Sequence, residues 1–233
     1  SQFVTIGEDV KEKTGKWFVA FIPNRGTHYL QMAMQSAGLW YFDEEGKIFL
    51  KDNPAIREMM PILKEIDQKE LAKPVDYFAP EGIGAVTSGE VAAVNSAIWF
   101  SATIRSAEDQ KGKWAYTHLP QLETVDGATP YSNLGGSSWL VLNDSPNKEL
   151  AMDFLKTEFA GNNEFYQEIL VDNGAVGTYL PSQKGEAYQY KDPFFNDEPI
   201  YKDFSSWMAE IPGVDYGNNT QAAVDALRGV MQS

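Results

Sequence analysis

The sequence predicts an α/β fold, on three grounds. Short apolar runs of strand length alternate with longer segments of helical period. Gly, Pro and Asn mark the changeovers, and no internal repeat, low-complexity tract or flexible linker interrupts the alternation. At 233 residues the chain suffices for one large domain or two modest lobes with a buried core.

Residues 4–12 read as the end of a helix that Thr14-Gly15 stops. Trp17-Phe18-Val19-Ala20-Phe21-Ile22 then has the character of a buried strand, ended by Pro23. A second helix is predicted over 27–37, closed by Gly38. Asp43-Glu44-Glu45-Gly46 is a turn between two short apolar stretches, which predicts a hairpin. Asn53-Pro54 starts a helix, with Asn as cap and Pro at the first helical position. Ile56, Met59, Met60, Leu63 and Ile66 follow at helical spacing, and Pro61 inside the run predicts a kink or a split. After the breaks at Pro74 and Pro80 a short helix ends near Ser88-Gly89-Glu90. Strands are predicted at 92–95, 114–119 and 137–142. Asp144-Ser145-Pro146 opens a helix with Leu150, Phe154 and Leu155 on one face. Another helix covers 163–172 and stops at Asn173-Gly174. The last spans 220–231, with Ala223, Val224, Leu227 and Val230 turned inward.

Composition narrows the function. Lys plus Arg number 19 against 33 for Asp plus Glu, a net charge of −14, and a field of that sign repels phosphate backbones and anionic membrane faces. Nucleic acid is therefore excluded as a partner, and neutral or cationic ligands are favoured. No apolar run nears the roughly 18 residues that span a bilayer. Ser1-Gln2-Phe3-Val4-Thr5 has neither the basic segment nor the apolar core of an export signal, so such a signal or a lipid anchor has been removed or was never there. The chain has no Cys, which excludes disulfides, thiolate metal sites and cysteine nucleophiles. His28 and His118 are too few and too separated for zinc, and no cofactor is predicted.

Catalytic constellations are missing. Glycoside hydrolysis needs two carboxyl groups about 5–10 Å apart across a cleft, one with a raised pKa; Asp43, Glu44 and Glu45 sit instead in a solvated turn. There is no Gly-x-Ser-x-Gly motif. Gly135-Gly136-Ser137-Ser138 lacks the Lys of a phosphate-binding loop, and its glycines suit a backbone crossing or a close approach to a ligand. The sequence reads as a binding protein and not as an enzyme. Its aromatic fraction of 13%, with six Trp and eleven Tyr, exceeds what core packing requires. A sugar ring offers C–H bonds on one face and hydroxyls around its rim, so its site needs a flat aromatic platform with polar groups about it. Trp99, after a predicted strand and turn, stands where open α/β sheets place ligands. Filling the core is the other reading of this residue, and for an isolated Trp the commoner one.

Several segments, in order, resemble the bacterial extracellular solute-binding proteins of carbohydrate uptake. Ser88-Gly89-Glu90-Val91-Ala92-Ala93 leading to Ile98-Trp99 is similar to that family's Gly-Glu-x-Ala-Met segment and its Trp. Leu119-Pro120, the Gly135-Gly136-Ser137-Ser138-Trp139-Leu140-Val141-Leu142 stretch, the helix start Ser145-Pro146-Asn147-Lys148-Glu149-Leu150-Ala151 and Asn173-Gly174-Ala175-Val176-Gly177 through Leu180-Pro181 follow in the family's order. The resemblance implies a periplasmic-binding-protein-like fold of class II, whose two α/β lobes close on the ligand. It implies that residues 1–134 and 191–233 belong mainly to the C-terminal lobe and 135–190 to the opposite, N-terminal one. On this basis the chain reads as a fragment lacking most of the N-terminal lobe, with apolar surface left exposed. The implied activity is capture of a sugar or oligosaccharide for an ABC transporter permease. The implied place is extracellular, on the bacterial surface or in the periplasm, with a lipid anchor on the parent protein.

Residue by residue, the resemblance makes Trp99 a sugar-stacking platform and places Tyr216, with Asn218 beside it, near a second. Asn24, Arg25, His28 and Tyr29 fall on a cleft loop, although His28-Tyr29 read equally as a helix cap and a packing contact. Gly135 and Gly136 fall at the lobe crossing, near the bound ring. Trp139 is expected in a core, and Trp40-Tyr41 either in packing or at the site. A carbohydrate-active enzyme and a sugar sensor or adhesion module are the alternative functions.

Overall fold

A computed structural model describes residues 1–22 and 26–231. In chain order the elements are α1 (Gln2–Thr14), β1 (Val19–Ala20), α2 (Thr27–Ser36), α3 (Pro54–Gln68), β2 (Ala72–Lys73), α4 (Pro80–Thr87), α5 (Ser101–Arg105), α6 (Lys148–Phe159), α7 (Asn163–Asn173), α8 (Ile200–Met208) and α9 (Thr220–Met231). They fall into two compact units. The first comprises Ser1–Asn95, Thr117–Leu134 and Glu210–Ser233, the second Ser96–Tyr116 and Gly135–Ala209. The unit that holds residues 135–190 thus also holds 96–116 and 191–209.

In the first unit, α1 starts on the Ser1 side chain, which accepts from the Val4 amide, and ends, as its sequence predicts, on Gly15 in the left-handed conformation. β1 and β2 pair in parallel, Val19 with Ala72 and Ala20 with Lys73. The predicted strand at 17–22 is cut to two residues because β2 is followed at once by Pro74, which has no amide to extend the ladder. On the other side of β1, the Ala92 and Ala93 amides donate to the Trp17 and Phe18 carbonyls at 2.9 Å. The predicted strand at 92–95 therefore pairs only at its start. Phe18, Val19, Leu30, Leu63, Ile66 and Leu71 fill a core between the helices and this narrow sheet. A second cluster gathers Met34, Trp40, Tyr41, Ala55, Leu122, Val125 and Val224.

α3 begins as predicted, with the Asn53 side chain accepting from the Ala55 and Ile56 amides. It also runs unbroken past Pro61. Pro61 lies on the exposed face, where water can serve the carbonyl that proline leaves unpaired. The predicted hairpin is a single antiparallel bridge, Phe42 to Ile48, over an Asp43 carboxylate that accepts from the Glu45 and Lys47 amides at 3.0 and 2.8 Å. Glu58 of α3 ties down the 123–124 segment through both backbone amides, at 2.7 and 3.0 Å, and the Thr124 hydroxyl. Burial works against its charge, but these hydrogen bonds outweigh it and hold the carboxyl below its usual range.

The second unit is organised around a buried charge. Asp192 is 2% exposed, and its carboxylate accepts from Arg105 at 2.9 Å and from the Phe194 amide at 2.9 Å. The same guanidinium donates to the Tyr201 hydroxyl and to the Val171 carbonyl, each at 2.9 Å. One arginine thus fastens 96–116 to α7 and α8, and with every partner satisfied its charge is tolerated inside. Around it Ile98, Leu170, Tyr188, Phe194, Phe195, Ile200 and Tyr201 form the core. α7 ends on Gly174 in the left-handed conformation.

Several expectations are corrected. The stretches 114–119 and 137–142 are irregular and form no strand ladder with any described segment. α6 forms, yet buries none of its residues: Leu150 and Phe154 stand in solvent. Trp139 is exposed and packs on Phe159 of α6 rather than filling a core. On α9, Val224 is buried and Ala223 and Leu227 pack against the core, but Val230 is exposed. The α5 and α8 helices were not legible in the sequence.

Candidate functional site

Two aromatic side chains predicted for the site stand out from the surface while their neighbours are buried. Trp99, in the second unit, is 44% exposed, and Ile98 and Phe100 on either side are 9% and 2% exposed. The three form a single 3-10 turn. Trp99 therefore faces outward on a turn whose flanks are anchored in the core, with Phe100 edge-on to it at 5.7 Å. Gly174, at the end of α7, supports this turn from beneath. A Cβ there would lie 2.8 Å from the Ile98 carbonyl oxygen and 2.9 Å from the Trp99 Cα, so no other residue fits at this φ of 65°.

Tyr216, in the first unit, is 42% exposed. It lies on an irregular segment, 210–219, between α8 and α9. Its ring and that of Trp40 meet at a right angle, 4.9 Å apart between centres and 87° between planes. The Trp40 indole N–H donates to the Thr220 hydroxyl at 2.7 Å, and that hydroxyl donates in turn to the Tyr216 carbonyl. The Tyr216 hydroxyl donates to Gln35 of α2 at 3.3 Å and accepts from Asn133 at 3.5 Å. Asn218 is exposed on the same segment, which turns on an Asp215 carboxylate accepting from the Gly217 amide at 2.8 Å. Trp40-Tyr41, left open between packing and site, are both buried; Trp40 serves the site as the buttress of Tyr216.

The other predicted positions are distributed as follows. His28 is half-buried and Tyr29 is buried, both in the first turn of α2. Tyr29 packs edge-on to Phe21 at 5.1 Å, and burial, with Tyr77 nearby, pushes its phenol well above the usual range. A cavity of about 440 Å³ opens in the first unit among Phe3, Ile6, Met32, Met59, Ile62 and Leu122. Among the described residues predicted for the site, only Tyr29 lines it. Gly135 and Gly136 are exposed at the passage from the first unit to the second, with φ of 94° and 136° that favour glycine. Asn24 and Arg25 lie outside the described residues. Tyr216, Asn218, His28 and Tyr29 thus belong to one unit, and Trp99, Gly135 and Gly136 to the other.

Gln35, Asn133 and Thr220 were missed in the sequence. A signal was present for the first: Thr27, Gln31 and Gln35 recur every four residues on α2, and all three are buried. A polar stripe on the buried face of a helix implies partners for it to hold. Among the described residues no cluster of three His, Cys, Asp or Glu is placed to hold a metal ion, and no helix is long and apolar enough to cross a membrane.

The family model for bacterial extracellular solute-binding proteins matches residues 1–203. The chain belongs to that family. It is 42% identical over 228 residues to a lactose-binding protein of Rhizobium radiobacter, which covers 97% of this chain and 53% of the relative. It is 28% identical over 158 residues to an arabinooligosaccharide-binding protein of Halalkalibacterium halodurans, covering 66% of this chain and 35% of that one. The chain spans about half the length, or less, of the curated relatives it matches. Among solved structures, the galacto-N-biose-/lacto-N-biose I-binding protein of an ABC transporter from Bifidobacterium longum, in complex with lacto-N-biose, superposes with a TM-score of 0.69 at 16% identity. That match covers 99% of this chain and 59% of the other. An extracellular solute-binding protein of family 1 superposes with a TM-score of 0.70 at 15% identity, covering 99% and 57%. The fold is therefore periplasmic-binding-protein-like and α/β in class, even though its strands here are few and short.

Proposed function

We propose that this solute-binding protein captures a neutral sugar or oligosaccharide outside the cytoplasmic membrane and delivers it, unchanged, to the permease of an ABC transporter. A lipid anchor on the parent protein would keep it at the membrane. The observation that carries the reading is the presentation of Tyr216: an aromatic side chain 42% exposed on the surface while its ring, hydroxyl and backbone are each contacted by a separate residue. A merely exposed tyrosine needs no such support. Trp99 supplies a second outward ring on a rigid turn. Sugar C–H faces stack on such rings, and fixed amides such as Asn133 suit the hydroxyl rim. The relatives named for lactose and arabinooligosaccharide binding support a saccharide over other solutes. Asn24, Arg25, His28, Asn218, Gly135 and Gly136 are further proposed contacts, and Tyr29 holds the start of α2.

The test is calorimetric titration of the full-length protein with a panel of neutral oligosaccharides that includes lactose, lacto-N-biose and arabinooligosaccharides. Binding of one sugar per protein at micromolar dissociation constant or tighter, with the sugar recovered intact by chromatography, is expected. Heat from none of them, or release of shorter products, would overturn the reading.

A further inference from the structure

We propose that Gln35 is a positioning residue: from the buried side it fixes the tilt of the Tyr216 ring, and through that ring it sets how tightly a saccharide is held. This rests on Tyr216 being a sugar platform.

Gln35 is 3% exposed, in the last turn of α2. A buried primary amide is costly unless its groups are paired, and nothing in the helix itself requires one there. Both of its ends are used, and both reach the same loop. Nε2 donates to the Pro212 carbonyl at 2.5 Å and Oε1 accepts from the Tyr216 hydroxyl at 3.3 Å. A single side chain thus pins the start of an irregular segment and the tip of the ring it carries. Trp40 and Thr220 hold the ring and its backbone, but neither touches the hydroxyl. Gln35 and Asn133 supply that last restraint.

The hydrogen bonds run head to tail: Asn133 to Tyr216, Tyr216 to Gln35, Gln35 to Pro212. Such a chain polarises each member. Its outer end, Asn133, is exposed, at the level where the rim of a stacked sugar would meet it. A ring already fixed in this way loses no rotational freedom when the ligand arrives, which is how preorganisation raises affinity.

The experiment is a double-mutant cycle in the full-length protein, using the tightest sugar of the panel. Q35M removes both hydrogen bonds at nearly constant volume, and Y216F removes the hydroxyl but keeps the platform. Each single change is expected to weaken binding about fivefold, in line with loss of the Tyr216–Gln35 hydrogen bond that the two share. The double change should be little worse than either, where independent effects would multiply to about 25-fold. Fluorine NMR of sugar-free protein carrying 3-fluorotyrosine at 216 should show one narrow resonance that broadens or doubles in Q35M. Gln35→Asn, whose amide is too short to reach both partners, should reproduce this without an apolar side chain if Q35M folds poorly. Independent effects in the cycle, an unchanged fluorine resonance, or a lower melting temperature with unchanged affinity would each overturn the proposal. If Tyr216→Ala leaves the affinity of a sugar-binding protein untouched, the platform reading fails. The fluorine spectrum still reports separately whether Gln35 fixes the ring.

Discussion

Trp99 and Tyr216 are almost equally exposed, at 44% and 42%, but they are secured differently. Tyr216 is held through its own side chain, Trp99 through the backbone of a turn whose neighbours are buried. Truncating Trp99 should therefore leave its turn in place, because Ile98 and Phe100 do the anchoring. Trp99→Ala is expected to weaken sugar binding by about 2 kcal/mol or more, roughly 30-fold, as for a lost aromatic anchor. The melting temperature should fall by no more than a few degrees, since little buried surface goes with it. Calorimetry and thermal unfolding of the same preparation check both. Loss of fold with normal binding in the folded fraction would return Trp99 to a packing role.

At the scale of elements, what the sequence carried well was capping. Asn53, Gly15 and Gly174 bound their helices where local chemistry says they should. Strands were over-read, because a strand exists only where a neighbour offers its amides: Pro74 ends one ladder, and 137–142 faces no described partner. The candidate site was legible in its protruding aromatics and not in its supports. Gln35 and Gly174 act across gaps in sequence of 181 and 75 positions, and periodicity within one helix carries no such information. Gly174 gives a test of this support. Gly15 and Gly174 share nearly the same φ, 69° and 65°, yet a Cβ at Gly15 meets nothing within 4 Å. Gly15→Ala should cost only the left-handed penalty, about 1 kcal/mol, and leave sugar affinity unchanged. Gly174→Ala carries the same penalty and also pushes on the backbone of Ile98 and Trp99. It should destabilise its unit further in urea titrations and weaken sugar binding. Equal behaviour of the two variants would show that Gly174 is a cap and nothing more.

For the molecule as a whole, the unusual feature is how much apolar side chain of the second unit faces solvent. Trp139, Leu140 and Leu142 on the 137–142 stretch are 67%, 86% and 77% exposed, and Leu150 and Phe154 on α6 are 70% and 57% exposed. Trp139 and Phe154 both touch Phe159, at 5.3 and 6.3 Å between ring centres, so these two exposed rings are joined through α6, and Leu140 and Leu142 follow Trp139 closely in sequence. Monomeric soluble proteins seldom expose contiguous apolar surface beyond a few hundred Å², and 137–142 forms no strand ladder with any described segment. The net charge of −14 opposes association between copies, and screening by salt removes that opposition. The 233-residue chain is therefore expected to enhance the fluorescence of a hydrophobic dye in its folded state. It should also sediment as larger species as sodium chloride rises from 0.05 to about 0.5 M, where the screening length falls below about 5 Å. Leu140→Lys with Leu142→Asp should reduce both responses at unchanged net charge. A chain that stays monomeric and dark to the dye across the salt series would mean that these side chains are covered in solution.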